Sequence, residues 1–312
     1  MFLVARNISQ SYAEQTVLFP LDLTIEPGQR LAIIGETGSG KTTLLKCLAG
    51  LLDLQGGEIL FEGERVKGPR EVLLPGHPSI CYLSQGVDLR NHYRVEDLLE
   101  RHSIQALEND QQLAKLCRVD NLLTRKTDQL SGGEKQRIAL AIELSKHPKL
   151  LLLDEPFAHL DMGHRNTLRQ VLDDLHEQNG LTQVIVSHNP TEILGWADRI
   201  LVLKKGGCVQ VGTPVEIYER PTDTYVAQLL GPFNELQLEA GQDSLIVRPE
   251  RLRIVAAGTV PLGGIIRKKH YEGSGVLYEV ESKGVIYWIK DNNSGHPIGG
   301  EVGIFVDTTP YI

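Results

Sequence analysis

The chain has 312 residues, 41% hydrophobic and 23% charged, which is ordinary globular composition and enough length for one large domain plus a smaller one, or for two domains. Its 32 Lys and Arg face 40 Asp and Glu, a net charge of −8 with no basic run, so duplex nucleic acid and an anionic membrane surface are both poor partners. Cys47, Cys81, Cys117 and Cys208 are dispersed and form no C-x-x-C pair, and no H-E-x-x-H occurs, so reduced thiols are expected and a structural metal is not. The opening MFLVARN is too short in its apolar part for a signal peptide, and no apolar run approaches the roughly 18 residues of a membrane span. Any role at a membrane is therefore expected to come through a partner.

Residues 2–30 read as short alternating strands, FLVARNI and then VLFPLDLTI, closed by the turn Glu26-Pro27-Gly28. Four continuous apolar runs follow: Leu31-Ala32-Ile33-Ile34, Ile80-Cys81-Tyr82-Leu83, Leu150-Leu151-Leu152-Leu153 and Val184-Ile185-Val186. Runs of this length between helical patterns predict strands buried on both faces of a mostly parallel sheet. Each run leads into polar residues: GETGSGKT, Ser84-Gln85, Asp154-Glu155 and Ser187-His188. In an open α/β sheet, the carboxyl edge of the strands is where ligands sit.

Between Gln85 and Leu130 the stretches Glu96-Asp97-Leu98-Leu99-Glu100 and Gln111-Gln112-Leu113-Ala114-Lys115-Leu116 predict a helical insertion, spanning about 86–145. A hairpin is expected from Ile200-Leu201-Val202-Leu203 through Gly206-Gly207 into Val209-Gln210-Val211. From about Pro232 the chain turns to short β runs split by glycines, at 245–247, 264–266, 276–280, 285–289 and 302–306. This texture predicts a small β-barrel or sandwich over 232–312, behind an α/β domain of residues 1–231, with Gly231-Pro232 as the joint.

Gly35-Glu36-Thr37-Gly38-Ser39-Gly40-Lys41-Thr42 matches the phosphate-binding loop. Gly35, Gly38 and Gly40 let backbone N–H groups, with that of Ser39, close around phosphate oxygens, and the helix opening at Thr42 and Thr43 presents its positive end to the same charge. Lys41 is expected to reach the β- and γ-phosphates and the Thr42 hydroxyl to bind Mg²⁺. Asp154, ending the apolar run, is placed near the metal. Glu155, next in line, is placed to orient and deprotonate a water for in-line attack on the γ-phosphate. Leu130-Ser131-Gly132-Gly133-Glu134-Lys135-Gln136-Arg137 begins as an S-x-x-E capping box, but a mere cap has no need of two glycines, which disfavour helix. Gly132 and Gly133 leave bare N–H groups that a second phosphate can approach closely.

With these motifs in the order phosphate loop, Gln85, LSGGE at 130–134, Asp154-Glu155 and His188, residues 2–230 resemble the ABC-transporter ATP-binding family. The resemblance implies a P-loop NTPase of ABC type, α/β with a helical insertion, using ATP and Mg²⁺. It implies that Tyr12 stacks on adenine and that Gln85 senses Mg²⁺ and the attacking water. Ser131 and Gly133 would bind the γ-phosphate of ATP held by the other copy of a homodimer, Asp161 would contact that copy, and His188 would hold the γ-phosphate. Tyr12 also reads as a plain strand-end aromatic, His188 as a strand-end histidine, and Asp161 as the N-cap of a helix beginning near Met162. Two departures stand out: Glu134 where the family usually has Gln, and Ala158-His159 where its interface loop has a small residue before Ala.

The segment Gly212 to Pro221, with Val226-Ala227, Gly231 and the turn Val247-Arg248-Pro249-Glu250, resembles the join in importer ATPases that carry a C-terminal all-β domain of the OB or TOBE kind. That family handles sugars, polyamines, ferric iron and oxyanions, and the short tail points to the iron or polyamine kind. The resemblance implies integral-membrane permease subunits and a solute-binding protein as partners, no nucleic acid, and a cytoplasmic position on the inner face of the cell membrane. The segment from Gly86 to Leu99 is expected to dock the permease. The alternative is a soluble ABC ATPase of DNA repair or translation. Such proteins carry long coiled-coil insertions or two ATPase halves in one chain, and this sequence has neither.

Overall fold

The computed structural model describes the chain except residues 1, 14, 87–88, 90–91, 103–106, 237–243, 293–294 and 308–312, and gives the backbone alone at 102 and 107–110. It divides into two compact units, 1–214 and 215–312.

The first unit opens with strands β1 (Leu3–Tyr12), β2 (Gln15–Ile25) and β3 (Arg30–Ile34), then helix α1 (Lys41–Leu48) and strands β4 (Gly56–Phe61), β5 (Glu64–Arg65) and β6 (Ile80–Leu83). Helices α2 (Val95–His102), α3 (Leu107–Leu116) and α4 (Gly132–Leu144) form the inserted region. Strand β7 (Leu150–Asp154), helix α5 (Met162–Asn179), strand β8 (Thr182–Val186), the short α6 (Pro190–Ile193) and the hairpin β9 (Arg199–Lys204) and β10 (Gly207–Gly212) complete it. Residues 87–88 and 90–91 of the expected docking segment lie outside the described residues.

Six strands form the central sheet in the order β10-β9-β3-β8-β7-β6. Every pairing from β9 to β6 is parallel, and only the β10 edge is antiparallel. A separate antiparallel sheet, β2-β1-β4-β5, lies over one face. Strand β7 shows why the parallel arrangement is forced. Leu150 and Leu152 join the core shared with α1 and the antiparallel sheet, while Leu151 and Leu153 join the core shared with α2, α4 and α5. All four leucines have no exposed surface. Burying each side chain is worth about 1.5–3 kcal/mol, and only a strand covered on both faces collects all four contributions. The α/β class and the four buried strands stand as the apolar runs implied. Strand β4 was not singled out from the sequence: its run Gly56-Gly57-Glu58-Ile59-Leu60-Phe61 begins with two glycines and an acid, which mask the short apolar end.

The second unit holds helices α7 (Pro214–Glu219) and α8 (Thr224–Leu229), the β11 (Asn234–Leu236) and β12 (Leu245–Val247) pair, and a five-stranded antiparallel sheet. Its strands are β13 (Leu252–Ala256), β14 (Gly263–Tyr271), β15 (Val276–Ser282), β16 (Val285–Asp291) and β17 (Glu301–Val306), in the order β13-β17-β14-β15-β16. The all-β expectation holds, but the division falls at Pro214 and Val215, ahead of the expected joint at Gly231-Pro232.

Arg248 is the reason. It is 2% exposed and lies over the Tyr218 ring at 4.1 Å. Its Nε donates to Tyr218 O at 2.8 Å, and its Nη1 donates to Ala227 O at 2.9 Å and to Gly231 O and Pro232 O at 3.3 Å. One guanidinium thereby ties α7, α8 and the Gly231-Pro232 corner to the β strands that follow. Arg248→Met should leave those carbonyls without their donor and destabilise this unit by about 2–4 kcal/mol, read as an earlier transition in urea unfolding followed by Trp288 fluorescence.

Candidate nucleotide site

The strand order places the motifs. Strands β3 and β7 flank β8, so the loop after β3, the acids after β7 and His188 after β8 share one edge of the sheet. Strand β6 lies next to β7 and brings Gln85 beside Glu155.

The phosphate loop joins β3 to α1. Gly35 has φ 154°, and a Cβ there would stand 2.2 Å from Leu203 O and 2.6 Å from Ser39 Oγ, so only glycine fits. The ammonium of Lys41 turns back into its own loop, donating to Gly35 O at 2.7 Å and Glu36 O at 2.8 Å. Burial draws its pKa below the ordinary lysine value, and the charges of Glu155, Asp154 and Glu36 pull the other way. The Ser39 hydroxyl is buried without a hydrogen-bond partner. A buried cation resting on carbonyls beside an unsatisfied hydroxyl is a cradle suited to an anion. Thr42 is exposed at the start of α1 and Thr43 is buried. Tyr12 ends β1 with 49% of its surface exposed, an open aromatic face.

At the end of β7, Asp154 is 5% exposed and accepts a bond from the Tyr82 hydroxyl at 3.1 Å. Burial, together with the Asp154 charge, drives the Tyr82 phenol well above its ordinary pKa, so it remains a donor. Glu155 adopts φ 48°, a left-handed conformation that costs a non-glycine residue about 1 kcal/mol or more. Its backbone N–H donates to Val186 O at 3.0 Å, and its carbonyl accepts from Ala158 N at 3.1 Å. The turn aims the carboxylate between two strand ends. Gln85 Nε2 donates to Glu155 Oε2 at 3.1 Å, and His188 Nδ1 lies 3.3 Å from Oε1. A cavity of about 260 Å³ opens here, lined by Gln85, Glu155, His159, Ser187, His188 and Asn189 among others. A larger hollow of about 980 Å³, lined by residues such as Lys115, Leu144, Lys149 and Asp174, holds none of the motif residues. The smaller cavity carries the chemistry.

Ser131, Gly132 and Gly133 are placed differently. The capping box is formed: Ser131 N donates to Glu134 Oε2 at 2.8 Å, and Glu134 N donates to Ser131 Oγ at 3.3 Å. Burial pushes the Glu134 carboxyl up in pKa, but the Ser131 bonds with Arg125 and Arg137 hold it below the ordinary value overall. Asp161 is the N-cap of α5, as one sequence reading had it, accepting from His164 N at 2.9 Å. The described hydrogen bonds of the Ser131 side chain go to Glu134 and His164, not to the phosphate loop.

Three side chains at this edge were not singled out from the sequence. Tyr82 is hidden in an apolar run. Gln136 of α4 donates through Nε2 to Pro156 O, beside Glu155, yet reads as one polar residue in a helix. His164 follows Asp161 at the N3 position of a capped helix, and that spacing is the one signal for it.

A parallel sheet that gathers a glycine-led phosphate loop and two strand-end acids at its carboxyl edge, with a second glycine-led helix start, defines a P-loop ATPase. The ABC transporter family model matches residues 18–158. The chain is 35% identical to the sulfate/thiosulfate import ATP-binding protein CysA of Pseudomonas aeruginosa, over 94% of this chain and 93% of that protein. It is 33% identical to the spermidine/putrescine import ATP-binding protein PotA of Pseudomonas fluorescens, over 96% and 93%. Among solved structures, cbiO1 of Clostridium perfringens, part of the ABC transporter complex cbiONQ, aligns with a TM-score of 0.63 at 26% identity, covering 69% of this chain and 90% of that one. The ADP conformation of MJ1267, an ATP-binding cassette of an ABC transporter, aligns with a TM-score of 0.62 at 23% identity over 73% and 97%, a likeness of fold. The chain belongs to the ABC transporter family, as a subunit that binds and hydrolyses ATP. Among the described residues no helix is long and apolar enough to cross a membrane.

The Gly35 contacts generate a test. Gly35→Ala should force the loop away from Leu203 and weaken ATP binding by about tenfold or more, measured by titration with a fluorescent ATP analogue. Affinity equal to that of the unaltered chain would show that the loop absorbs the clash.

Proposed function

We propose that this protein energises solute import by hydrolysing ATP held between two copies of itself, with Glu155 as general base. The observation that carries the reading is the Glu155 carboxylate, turned out of β7 by a left-handed residue and held on its two oxygens by Gln85 and His188. A carboxylate so held points one lone pair at a water while the Gln85 amide orients that water. His188, 68% exposed along its side chain, is free to swing toward the γ-phosphate and stabilise the charge that develops there. Lys41 exchanges its loop carbonyls for phosphate oxygens, and the N–H groups of residues 35–43 close around them. Tyr12 offers its exposed face to the adenine.

The Thr42 hydroxyl, the Asp154 carboxylate and the Gln85 side-chain oxygen form a hard oxygen donor set that fits Mg²⁺. Bound there, Mg²⁺ would neutralise charge on the β- and γ-phosphates. Tyr82 keeps one Asp154 oxygen fixed and so orients the other.

Ser131, Gly132 and Gly133 have no phosphate to hold within their own chain and are assigned to the ATP of the partner copy, with Asp161 across the same interface. Twofold symmetry then produces two equal sites, closed by the γ-phosphate and loosened by its loss. The family resemblance and the importer names of both relatives support permease subunits and a solute-binding protein as further partners, and a position on the inner face of the membrane reached through them. The segment 86–99 is assigned to permease docking, and residues 232–312 to a regulatory or dimer-stabilising role. The printed names of the relatives, sulfate/thiosulfate import and spermidine/putrescine import, support an oxyanion or a polyamine as the solute. Uptake of radiolabelled sulfate and spermidine by cells with and without this chain distinguishes the two, and equal uptake of both with and without it would reject the pair.

Glu155→Gln should bind MgATP with near-normal affinity and turn over about 10²–10⁴-fold more slowly in a single-turnover assay. Near-normal turnover would remove Glu155 as the base. Ser131→Arg should likewise keep ATP binding but lose about 10²-fold or more in hydrolysis. Activity per chain should rise with protein concentration until light scattering shows only dimers. A monomer hydrolysing at the full rate would rule out the shared site.

A further inference from the structure

Ser131, His164 and Asp161 form a continuous hydrogen-bonded chain. Ser131 Oγ lies 3.0 Å from His164 Nε2, and His164 Nδ1 lies 2.8 Å from Asp161 Oδ2. The other Asp161 oxygen accepts the His164 backbone N–H at 2.9 Å, so each carboxylate oxygen holds this residue. These bonds hold the Asp161 carboxyl below its ordinary pKa. The ring packs on the start of α4: a Cβ at Gly133 would stand 2.3 Å from His164 Cδ2. Gly133 therefore has a second role besides its bare N–H. It admits the imidazole to the Ser131 hydroxyl.

The donor and acceptor count along this chain fixes where one hydrogen sits. An ionised Asp161 only accepts, so the proton of a neutral His164 belongs on Nδ1. Nε2 is then a bare acceptor, and the hydrogen bond at 3.0 Å is made by the Ser131 hydroxyl donating to it. The Ser131 oxygen also accepts from Glu134 N. With a neutral ring, Ser131 has its one hydrogen engaged and offers a phosphate oxygen nothing but lone pairs. A protonated ring reverses the bond. Nε2–H donates to Ser131 Oγ, and the hydroxyl hydrogen is free to point outward.

We propose that His164 is a positioning residue for ATP hydrolysis, withholding the Ser131 hydrogen while its ring is neutral and releasing it toward the γ-phosphate of the partner's ATP once the ring takes up a proton. The proposal rests on the shared-site reading above. In the proton balance, one proton passes from solvent to His164 Nε2, the Ser131 hydrogen stays on its own oxygen and rotates, and no covalent bond to phosphorus forms. The side chain of His164 is 29% exposed, so solvent reaches it. The charged groups around the ring are Asp161 at the start of its own helix and Glu134 on α4, with Arg125 3.5 Å from Glu134 and Arg137 also offsetting it. Arg165, the next residue on α5, is directed to Glu192 at 3.8 Å. The arriving γ-phosphate adds negative charge and favours the imidazolium, so dimer closure and proton uptake are coupled.

The test compares the full-length chain with His164→Gln and His164→Leu. Gln places an amide N–H near the position of Nε2 and donates to Ser131 at every pH, whereas Leu donates nothing. Steady-state MgATP hydrolysis is followed from about pH 5.5 to 8.5, the range over which histidine titrates. In the unaltered chain kcat/KM for ATP should fall on the alkaline side, by up to about tenfold per pH unit, through one ionisation. In His164→Gln that ionisation should be missing, with activity within about threefold of the acid-side value of the unaltered chain. His164→Leu, which cannot accept the Ser131 hydrogen and so no longer withholds it, should also be pH-flat over the same limb and stay within about tenfold of that value. Ionisation of ATP affects all three proteins alike and cancels in the comparison. Thermal melts accompany each variant, and should Leu destabilise the chain, the Gln profile decides alone. An alkaline limb unchanged in His164→Gln would overturn the proposal. Loss of hydrolysis in Ser131→Arg alongside that unchanged limb would overturn the His164 role and leave the shared site standing. Full activity in Ser131→Arg would overturn both.

Discussion

The constraint on which the ATPase unit depends is the burial of β7 on both faces. Leu150 and Leu152 feed one core and Leu151 and Leu153 the other, with no surface left to water. A strand of this kind needs a parallel neighbour on each side and a layer above and below, which β6, β8, the antiparallel sheet and the inserted helices supply. Nothing polar is tolerated along its length, so the polar residues of β6, β7, β8 and β3 collect where the strands end. The site is the place at which the apolar constraint stops. Asp154, paired in register with Val186, and Glu155, bonded through its N–H to Val186 O, are held there by the same ladder that holds the leucines.

That edge is not relaxed. Glu155 and His159 both have positive φ, and Lys41, with its pKa drawn down by burial, rests on the carbonyls of its own loop. Conformational strain and an unsatisfied Ser39 hydroxyl persist because the surrounding sheet over-determines the backbone. Of these features, the Lys41 ammonium and the Ser39 hydroxyl are groups suited to an anion.

The start of α4 follows a different logic. Its serine is satisfied within the chain, by Glu134 and His164, and its two glycines serve distinct ends. Gly132 has nothing within 4 Å of where a Cβ would lie, whereas Gly133 is filled by the imidazole of His164. The result connects Asp161 to Ser131 through one ring. Gln136, on the same helix, reaches Pro156 beside Glu155. The helix that begins at Gly132 therefore touches both the start of α5 and the turn that follows β7.

Much of this was legible in the sequence because it depends on local covalent rules. A glycine-spaced loop between an apolar run and a helix, an acid pair ending a run of leucines, and a capping box with two superfluous glycines each state their chemistry without reference to distant residues. The all-β texture after residue 232 was legible for the same reason, since alternation and turn glycines are short-range. What only the tertiary structure decided was every relation between segments far apart in the chain. The second compact unit includes α8 and the Gly231-Pro232 corner because Arg248 reaches back to the carbonyls of Tyr218, Ala227, Gly231 and Pro232. The embrace of Glu155 by Gln85 and His188 depends on strand order, which no single run encodes. The Ser131–His164–Asp161 chain depends on a close approach of two helix starts that a missing Cβ permits. Sequence fixes what each strand end and helix start can bind, by composition and spacing. Which of them meet is set by packing, because contact between remote residues is a property of the folded core and not of any local pattern.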